Sequence, residues 1–191
     1  MERVGEAEIE RAKGLSGLTE AVARYYFKLM AYKDEYEVAR LFTDGAFLRR
    51  VEARFEGDYR LEFHLAPPLV AKRDPETGRL RKSAYGAWML SAFRLLAKLK
   101  GLRGTPFDPF GYAPDRRTER RLITDYEAVV AELIANLDHD NHALAVEIAS
   151  IPEHIRGYGH VKQAHLDQAK ARETELLAAF RAPSPQANAA E

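Results

Sequence analysis

Apolar residues recur at intervals of three and four positions along most of this chain, and that spacing restricts it to a largely helical fold. The strongest example consists of Leu122, Tyr126, Val129, Leu133 and Leu137. Residues with this spacing lie on one side of an α-helix, which must pack against other helices to remove them from water. The same periodicity predicts further helices over 16–33, 34–42, 46–55, 85–100, 143–150 and 161–180.

Short polar side chains mark where two of these helices should begin. Ser16 and Thr19 are predicted N-caps of the first helix, and Asn141 is the predicted N-cap of the helix over 143–150. Such side chains accept hydrogen bonds from the free N–H groups of a first helical turn. Pro152 should limit the helix over 143–150, because the residue before a proline disfavours the helical conformation.

In one stretch of the sequence, residues 59–65, apolar residues recur at every second position instead. Tyr59, Leu61, Phe63 and Leu65 alternate with polar residues, as in a half-buried strand, and two consecutive prolines end the pattern. This stretch predicts a β-strand within an otherwise helical chain.

A hairpin is predicted directly after that strand. The segments 69–73 and 79–83 flank 74–78, whose sequence DPETG is typical of a turn. We therefore predict a mainly α (α+β) fold. It consists of a bundle of about six to seven helices with a small antiparallel sheet or hairpin around 59–83.

Length and composition favour one domain with tails. The chain has 191 residues, of which 46% are hydrophobic, and this is enough to build a proper core. We expect an N-terminal lead-in over 1–15 and a single helical domain with a small β insert over 16–181. A disordered tail is expected over 182–191, where two prolines stand among small residues.

The chain contains no cysteine. This excludes disulfides, a cysteine nucleophile, and iron–sulfur clusters or zinc held by its own thiolates. The first residues are charged and lack the apolar run of a signal peptide, and no apolar run reaches membrane-spanning length. We expect a cytoplasmic protein with no membrane partner.

The formal net charge is +0, but the charges are unevenly distributed. The stretch 72–121 contains 13 Lys or Arg and 5 Asp or Glu, whereas 122–155 contains 7 acidic residues and no Lys or Arg. Such a chain can pair its two halves internally or present opposite faces to partners. Nucleic-acid binding is not expected, because the basic stretch has no recognisable motif and the acidic stretch would repel phosphates.

The richest candidate site is the octapeptide 155–162, with the sequence IRGYGHVK. Arg156, His160 and Lys162 supply cationic or ionisable side chains, while Gly157 and Gly159 let the backbone approach a ligand closely. Because a helix is predicted to follow, its free N–H groups and positive dipole end would face the same loop. These five residues are candidates for binding a phosphate, a carboxylate or an acidic partner.

The octapeptide has two other interpretations, as a dinucleotide-binding fingerprint and as a structural connection between helices. A dinucleotide fingerprint is excluded, because a helix and Pro152 precede the loop and Lys162 stands at the third glycine position. A structural role stays open, in which the loop is a tight connection between helices. Arg156 would then cap carbonyl groups or pair with the acidic stretch.

Three further residues are secondary candidates. Lys33 lies in a dense run of aromatic and charged residues, where nearby carboxylates would shift pKa values. Arg103 and Asp108 belong to a loop rich in turn residues and aromatics, which we expect to cover the core of the protein itself. The sequence HDNH at 139–142 is expected to be a solvated loop without metal, because its i, i+3 histidine spacing across a helix break suits zinc poorly.

Four segments together resemble one known family. They are 26–41, 63–68, 103–108 and 156–162, with the sequences YFKLMAYKDEYEVARL, FHLAPP, RGTPFD and RGYGHVK. They resemble the C-terminal region of bacterial indolepyruvate ferredoxin oxidoreductases, members of the 2-oxoacid:acceptor oxidoreductase family. The resemblance covers nearly the whole chain.

The resemblance implies a place within a larger enzyme. Enzymes of that family decarboxylate an aryl pyruvate on thiamine diphosphate, pass electrons through iron–sulfur clusters to ferredoxin, and release an acyl-CoA. Those cofactors and steps belong to other domains, namely two thiamine-binding regions, cluster sites and a gamma-type domain. The resemblance therefore makes those domains the expected partners, with ferredoxin as an indirect one, and assigns no catalytic residue to this chain.

We thus expect an accessory domain of an indolepyruvate (aryl 2-oxoacid):ferredoxin oxidoreductase. It would assist assembly or the CoA or substrate entrance, either as a truncated product or as a separate subunit. The alternative is an independent module that binds an anion or a CoA-like small ligand. A self-contained enzyme is least expected, because the sequence shows no recognisable nucleophile–base or metal set.

Overall fold

The computed structural model describes residues 1–66 and 81–182. The predicted segment 69–73, the hairpin turn over 74–78 and the tail from 183 onward lie outside these residues. The described chain is mainly α-helical with one small antiparallel sheet, which confirms the predicted fold class. No helix in the two described ranges is both long and apolar enough to cross a membrane.

Eight α-helices and two strands follow one another along the described part of the chain. They are α1 (Glu2–Arg11), α2 (Leu18–Met30), α3 (Glu35–Thr43), α4 (Ala46–Glu52), β1 (Phe63–Leu65), β2 (Ser83–Tyr85), α5 (Met89–Lys98), α6 (Pro114–Asn136), α7 (His142–Ser150) and α8 (Gly159–Arg181). Short 3₁₀ helices, Leu99–Leu102 and Ile151–His154, follow α5 and α7.

Contacts divide the described chain into two compact units. Unit 1 comprises residues 1–32 and 118–182, and unit 2 comprises residues 33–117. The single domain over 16–181 stays a prediction, because two packing units can belong to one domain.

Five helices build the core of unit 1. Within it, α2 packs against both α1 and α7, and α7 packs against α8. Leu18, Leu133 and Ile148 are completely buried. All five apolar residues that predicted α6 are buried as well, so their helical spacing does mark the side that faces the core.

Helix α1 lies in the segment that was expected to be a lead-in. It buries Val4 and Ala7 in the core of unit 1 and holds Arg11 against α6, where the guanidinium donates to the carbonyls of Ile134 and Ala135 at 2.8 and 2.7 Å. Only a few apolar residues mark its inner side, and the periodicity therefore gives a weak signal here.

The start of α2 differs from the predicted caps. Gly17 is the N-cap residue, and neither Ser16 nor Thr19 caps the helix through its own side chain. The carboxylate of Glu8 accepts hydrogen bonds from the backbone N–H groups of Leu18 and Thr19 instead, at 2.7 and 3.0 Å. A side chain from a neighbouring helix thus satisfies the free donors of the first turn.

Asn141 is the N-cap residue of α7, as predicted, but its side chain acts elsewhere. Its Oδ1 accepts from the backbone N–H of Asp138 at 2.9 Å, and its amide donates to the carbonyl of Asn136 at 2.8 Å. These bonds close the turn between α6 and α7. Helix α7 ends at Ser150, although Ile151 directly before Pro152 keeps a helical conformation and begins the 3₁₀ helix Ile151–His154.

Unit 2 is organised around clustered phenylalanines. Phe42 of α3 stacks on Phe93 of α5 with ring centroids 5.2 Å apart, and Phe63 of β1 meets Phe93 edge to face at 5.5 Å. Strand β1 pairs antiparallel with β2, with Phe63 opposite Tyr85. A sheet this small depends on the helices packed against its apolar side.

The predicted strand over 59–65 is reduced to Phe63–Leu65, because its partner Ser83–Tyr85 is equally short. Ser83 was predicted to end the hairpin segment 79–83, and Tyr85 was predicted to begin the next helix. Their backbone groups pair with β1 instead, and α5 therefore begins only at Met89.

Candidate functional site

The octapeptide 155–162 lies in unit 1, after the 3₁₀ helix that follows α7. Its first four residues connect that helix to α8, and its last four residues are the first four of α8. We call this connection the joint between α7 and α8. Ile155 is buried in the core, and the chain then turns outward through exposed residues to the start of α8 at Gly159. Gly157 has φ +91° and Gly159 has φ +56°, which is the left-handed region that favours glycine. Both glycines are therefore required by the backbone path of the joint.

Arg156 is anchored to the residue three positions earlier. Its Nε donates to the carbonyl of Glu153 and its guanidinium also donates to the carboxylate of Glu153, both at 2.9 Å. The carbonyl of Arg156 lies 2.8 Å from Nδ1 of His165 in α8. The side chain thus caps a carbonyl and pairs with a carboxylate of the acidic stretch, which are the contacts that a structural role would use.

Lys162 is tied to α6. Its Nζ donates to Oε1 of Glu119 at 2.5 Å, and Glu119 is buried. His160 lies on the exposed surface in the first turn of α8. That turn contains no acidic residue and has no side-chain cap, so positive charges cluster at the positive end of a 23-residue helix.

Lys28 joins this group, although it lies more than a hundred residues away from it in the sequence. Its Nζ donates to the carbonyls of Pro152 and Glu153 at 2.7 and 2.9 Å. Burial lowers the pKa of Lys28, and the positive charges of Arg156 and Lys162 lower it further against the opposing effect of Glu153. We call Lys28, Arg156, His160 and Lys162 the cationic corner.

Glu153 balances part of this positive charge. Oε2 of its carboxylate accepts a hydrogen bond from the hydroxyl of Tyr25 at 2.7 Å, while Oε1 faces Arg156. The hydrogen bond from Tyr25, together with the nearby Arg156, holds the pKa of Glu153 below its usual range. Lys28, Arg156 and Lys162 are therefore each bound to an acceptor within the protein, and an anion that enters must compete with Glu153 and Glu119.

The secondary candidates all lie in unit 2. Arg103 pairs with Asp34 at 3.1 Å, at the N-cap of α3, and Lys33 is exposed just before it. Asp108 is buried and accepts hydrogen bonds from the hydroxyl of Tyr36 at 3.2 Å and from the N–H of Gly104 at 3.0 Å. The loop 103–108 is thus fastened over the start of α3.

The electrostatics of Asp108 and Tyr36 follow from this burial. Burial alone would raise the pKa of Asp108, but the backbone N–H of Gly104 and the hydroxyl of Tyr36 donate to it and lower the pKa overall. Burial and the nearby carboxylate of Asp108 raise the pKa of Tyr36 to about 12. The pair therefore holds the loop through a phenol that stays neutral and a carboxylate that stays charged.

A second buried polar group links three helices of unit 1. The carboxylate of Glu8 accepts from the hydroxyl of Thr19 at 2.5 Å and lies 2.8 Å from Nε2 of His142, in addition to the two backbone N–H groups of α2. The expectation of a solvated loop at 139–142 is wrong for His142, which is buried. It is buried because Glu8 supplies its polar partner, whereas His139 stays exposed.

Neither buried group has the ligand set of a metal site. Over residues 1–66 and 81–182, no three His, Asp or Glu side chains are grouped so that they could hold a metal ion. Glu8 and Asp108 are instead each surrounded by hydrogen-bond donors, which is the environment of a structural carboxylate.

Comparisons with known proteins give one family. No curated protein and no solved structure matches the chain. Residues 1–175 match the model of DUF6537, which is described as a family of unknown function. This match contains unit 2, most of unit 1 and the cationic corner, and the chain therefore belongs to the DUF6537 family.

Proposed function

We propose that the chain is an accessory region of an indolepyruvate-type 2-oxoacid:ferredoxin oxidoreductase. It assists the assembly of the catalytic domains or forms part of their CoA or substrate entrance. Thiamine diphosphate and the iron–sulfur clusters belong to the partner domains, and this chain has no cysteine with which to ligate a cluster. The complex would act in the cytoplasm.

One observation carries this proposal: three of the four segments that carry the resemblance make side-chain contacts with parts of the chain distant in sequence. In 26–41, the hydroxyl of Tyr26 donates to Glu127, and Tyr36 donates to Asp108 of the segment 103–108. The segment 156–162 joins α7 to α8 and is tied to α6 by Lys162. Segments that stabilise a fold are expected to recur in chains with the same fold. The resemblance therefore supports the proposal that this chain has the same position in its parent enzyme as the C-terminal region that it resembles.

Co-purification tests the proposal. The tagged full-length chain is co-expressed with the thiamine-binding and gamma-type domains of an indolepyruvate:ferredoxin oxidoreductase. We expect the proteins to co-elute in size-exclusion chromatography. We also expect the complex to reduce ferredoxin with indolepyruvate and CoA faster than the catalytic domains do without the chain.

The catalytic domains prepared without the chain are the control, because they give the basal turnover. If the chain neither co-elutes nor changes the rate or the KM for CoA, the proposed function is wrong.

The cationic corner favours a second candidate function, an independent module that binds an anion or a CoA-like ligand. Lys28, Arg156 and Lys162 are close enough for their charges to interact, and they surround the exposed start of α8. A phosphate there would relieve this repulsion and accept hydrogen bonds from the first N–H groups of the helix. Binding would require Arg156 or Lys162 to leave its carboxylate partner.

Titration with inorganic phosphate and with CoA, followed by isothermal calorimetry, separates this function from a purely structural role. A binding corner should lose affinity about tenfold in Arg156→Gln and Lys162→Gln. The Tm should stay nearly constant in Arg156→Gln, because Arg156 is exposed, but should fall in Lys162→Gln, because the buried Glu119 loses its cation. Arg172→Gln is the matched control, because Arg172 is also an exposed arginine of this unit and pairs with Glu147 on α7. No heat of binding in the wild-type protein, with a lowered Tm in the two variants, would leave the corner as a structural joint.

A further inference from the structure

Helix α5 is apolar on two sides. Its inner side, with Met89, Phe93 and Leu96, packs into the phenylalanine cluster of unit 2. A second apolar row lies on the outside and consists of Trp88, Ala92, Leu95 and Leu99. A surface helix of a globular protein normally has one apolar side, which faces the core, so a second apolar row that stays exposed is typical of a surface that binds a partner.

The outer row is continuous and well exposed. Trp88 is 63% exposed, Leu95 is 62% exposed and Leu99 is 41% exposed. The row follows the spacing i, i+4, i+7, i+11, which keeps it in one narrow line along the helix and its 3₁₀ extension. The ring of Trp88 meets the ring of Tyr85 with centroids 6.0 Å apart, which steadies one end of the row.

The charged residues close to this row in the sequence are all positive, although Arg103 at its far end is paired with Asp34 and Glu37 of α3 lies near Lys100. Every charged residue from 81 to 103 is a lysine or an arginine, namely Arg81, Lys82, Arg94, Lys98, Lys100 and Arg103. Arg94 and Lys98 each precede a leucine of the row by one position. They are therefore rotated from it by about 100° and lie along its flank. Both side chains are exposed.

We propose that the outer row of α5 is a docking surface for a helix of a partner protein whose apolar seam is flanked by Asp and Glu. The narrow seam fits the knobs of one facing helix, and its lysines and arginines match acidic flanking positions. A lipid surface would instead favour a wide apolar side on a strongly amphipathic helix. The inference rests on the proposed function only for the identity of the partner, which would be one of the catalytic domains.

A synthetic helical peptide provides the direct test. It is about three heptads long, with leucines at the seam and glutamates beside it, and its binding to the full-length chain is measured by fluorescence anisotropy. We expect Leu95→Glu, and separately the double substitution Arg94→Glu with Lys98→Glu, to weaken binding at least about tenfold. Raising the salt concentration should weaken the wild-type complex as well.

Two controls make the result specific. Ile9→Glu places the same charge at another exposed apolar residue, which is 74% exposed on α1, and should leave the affinity unchanged. A peptide with the same seam but lysine flanks should bind the wild-type chain at least about tenfold more weakly. Equal circular dichroism spectra and Tm values establish that the variants are folded, since all substituted side chains are exposed.

Several outcomes overturn the inference. One is a wild-type chain that does not bind the glutamate peptide, or binds it as well after Leu95→Glu. Another is binding to phosphatidylcholine–phosphatidylserine vesicles that Leu95→Glu abolishes, without peptide binding, which assigns the row to lipid. A chain dimer that Leu95→Glu dissociates, again without peptide binding, assigns the row to a second copy.

Co-elution separates this inference from the proposed function. If the catalytic domains co-elute with the wild-type chain and equally with Leu95→Glu, the docking surface is wrong and the proposed function stands. If the peptide binds through Leu95 but the chain neither co-elutes with the catalytic domains nor changes their rate or KM for CoA, the docking surface stands and the proposed function is wrong.

Discussion

At the residue scale, the side chain of Glu8 in α1 contacts both α2 and α7, although the sequence around it does not indicate these contacts. Its carboxylate accepts hydrogen bonds from two backbone N–H groups of α2 and from the Thr19 hydroxyl, and it meets His142 of α7. A buried carboxylate is costly unless donors surround it. Burial alone would raise the pKa of Glu8, but the hydrogen bonds from Thr19 and His142 outweigh it and lower the pKa to about 2.

This lowered pKa predicts a defined loss of stability in acid. Because the folded pKa is about 2 and the usual value is 4.5, the ionised Glu8 stabilises the fold above pH 4.5. That contribution is lost as the pH falls towards 2. It amounts to about 3 kcal/mol. Urea denaturation followed by circular dichroism at a series of pH values measures it.

Glu8→Gln provides the comparison. The variant should be less stable than the wild type at neutral pH, and the difference between the two proteins should shrink between about pH 5 and pH 2. Other carboxylates titrate in both proteins and cancel in this difference. A difference that stays constant over the same range would contradict the assignment.

At the scale of secondary-structure elements, the joint between α7 and α8 depends on Gly157. Its φ is +91°, and a Cβ at this position would lie 3.0 Å from Cγ1 of Val161 in the first turn of α8. Both the backbone conformation and the space therefore favour glycine.

We expect Gly157→Ala to destabilise the protein by about 1–2 kcal/mol, measured as a lower urea midpoint with an unchanged m-value. Gly5→Ala is the matched control. Gly5 lies inside α1, and a Cβ there would be 3.8 Å from the side chain of Thr19, an ordinary contact. Alanine should stabilise this helical position by up to about 1 kcal/mol. The role given to Gly157 fails if both substitutions change the stability in the same direction.

At the scale of the whole molecule, the acidic stretch finds partners within unit 1. Arg181 of α8 pairs with Glu132 at 2.5 Å, and Arg172 pairs with Glu147 at 2.8 Å. Both cations come from α8, so part of the charge separation along the sequence is balanced by a helix that follows the acidic stretch. In unit 2, the exposed cations of α5 lie beside an exposed apolar row. This is the combination that a partner protein would recognise.

Much of the helical structure could be predicted, because the side that faces a core repeats locally. Val22, Tyr25 and Leu29 are buried along α2 as their spacing indicates. Asp34 begins α3, and its carboxylate accepts from the N–H of Tyr36. The cap of α2 could not be predicted, because the acceptor belongs to Glu8 on another helix and no rule of sequence spacing joins the two.

The candidate site could be predicted only in part for the same reason. Arg156, Gly157 and Lys162 were recognised because they stand close together in the sequence. Lys28 completes the corner from more than a hundred residues away.

The amino-acid sequence by itself determined the fold class, most of the helices and the glycine turn before α8, because these depend on periodicity and on backbone preferences over a few residues. Only the tertiary structure decided that Glu8 meets His142, that Tyr36 meets Asp108, and that Lys28 reaches the loop before α8. Each of these contacts joins a buried or half-buried polar group to a donor or acceptor distant in the chain. Such a pair forms because folding removes both groups from water and leaves each as the other's partner.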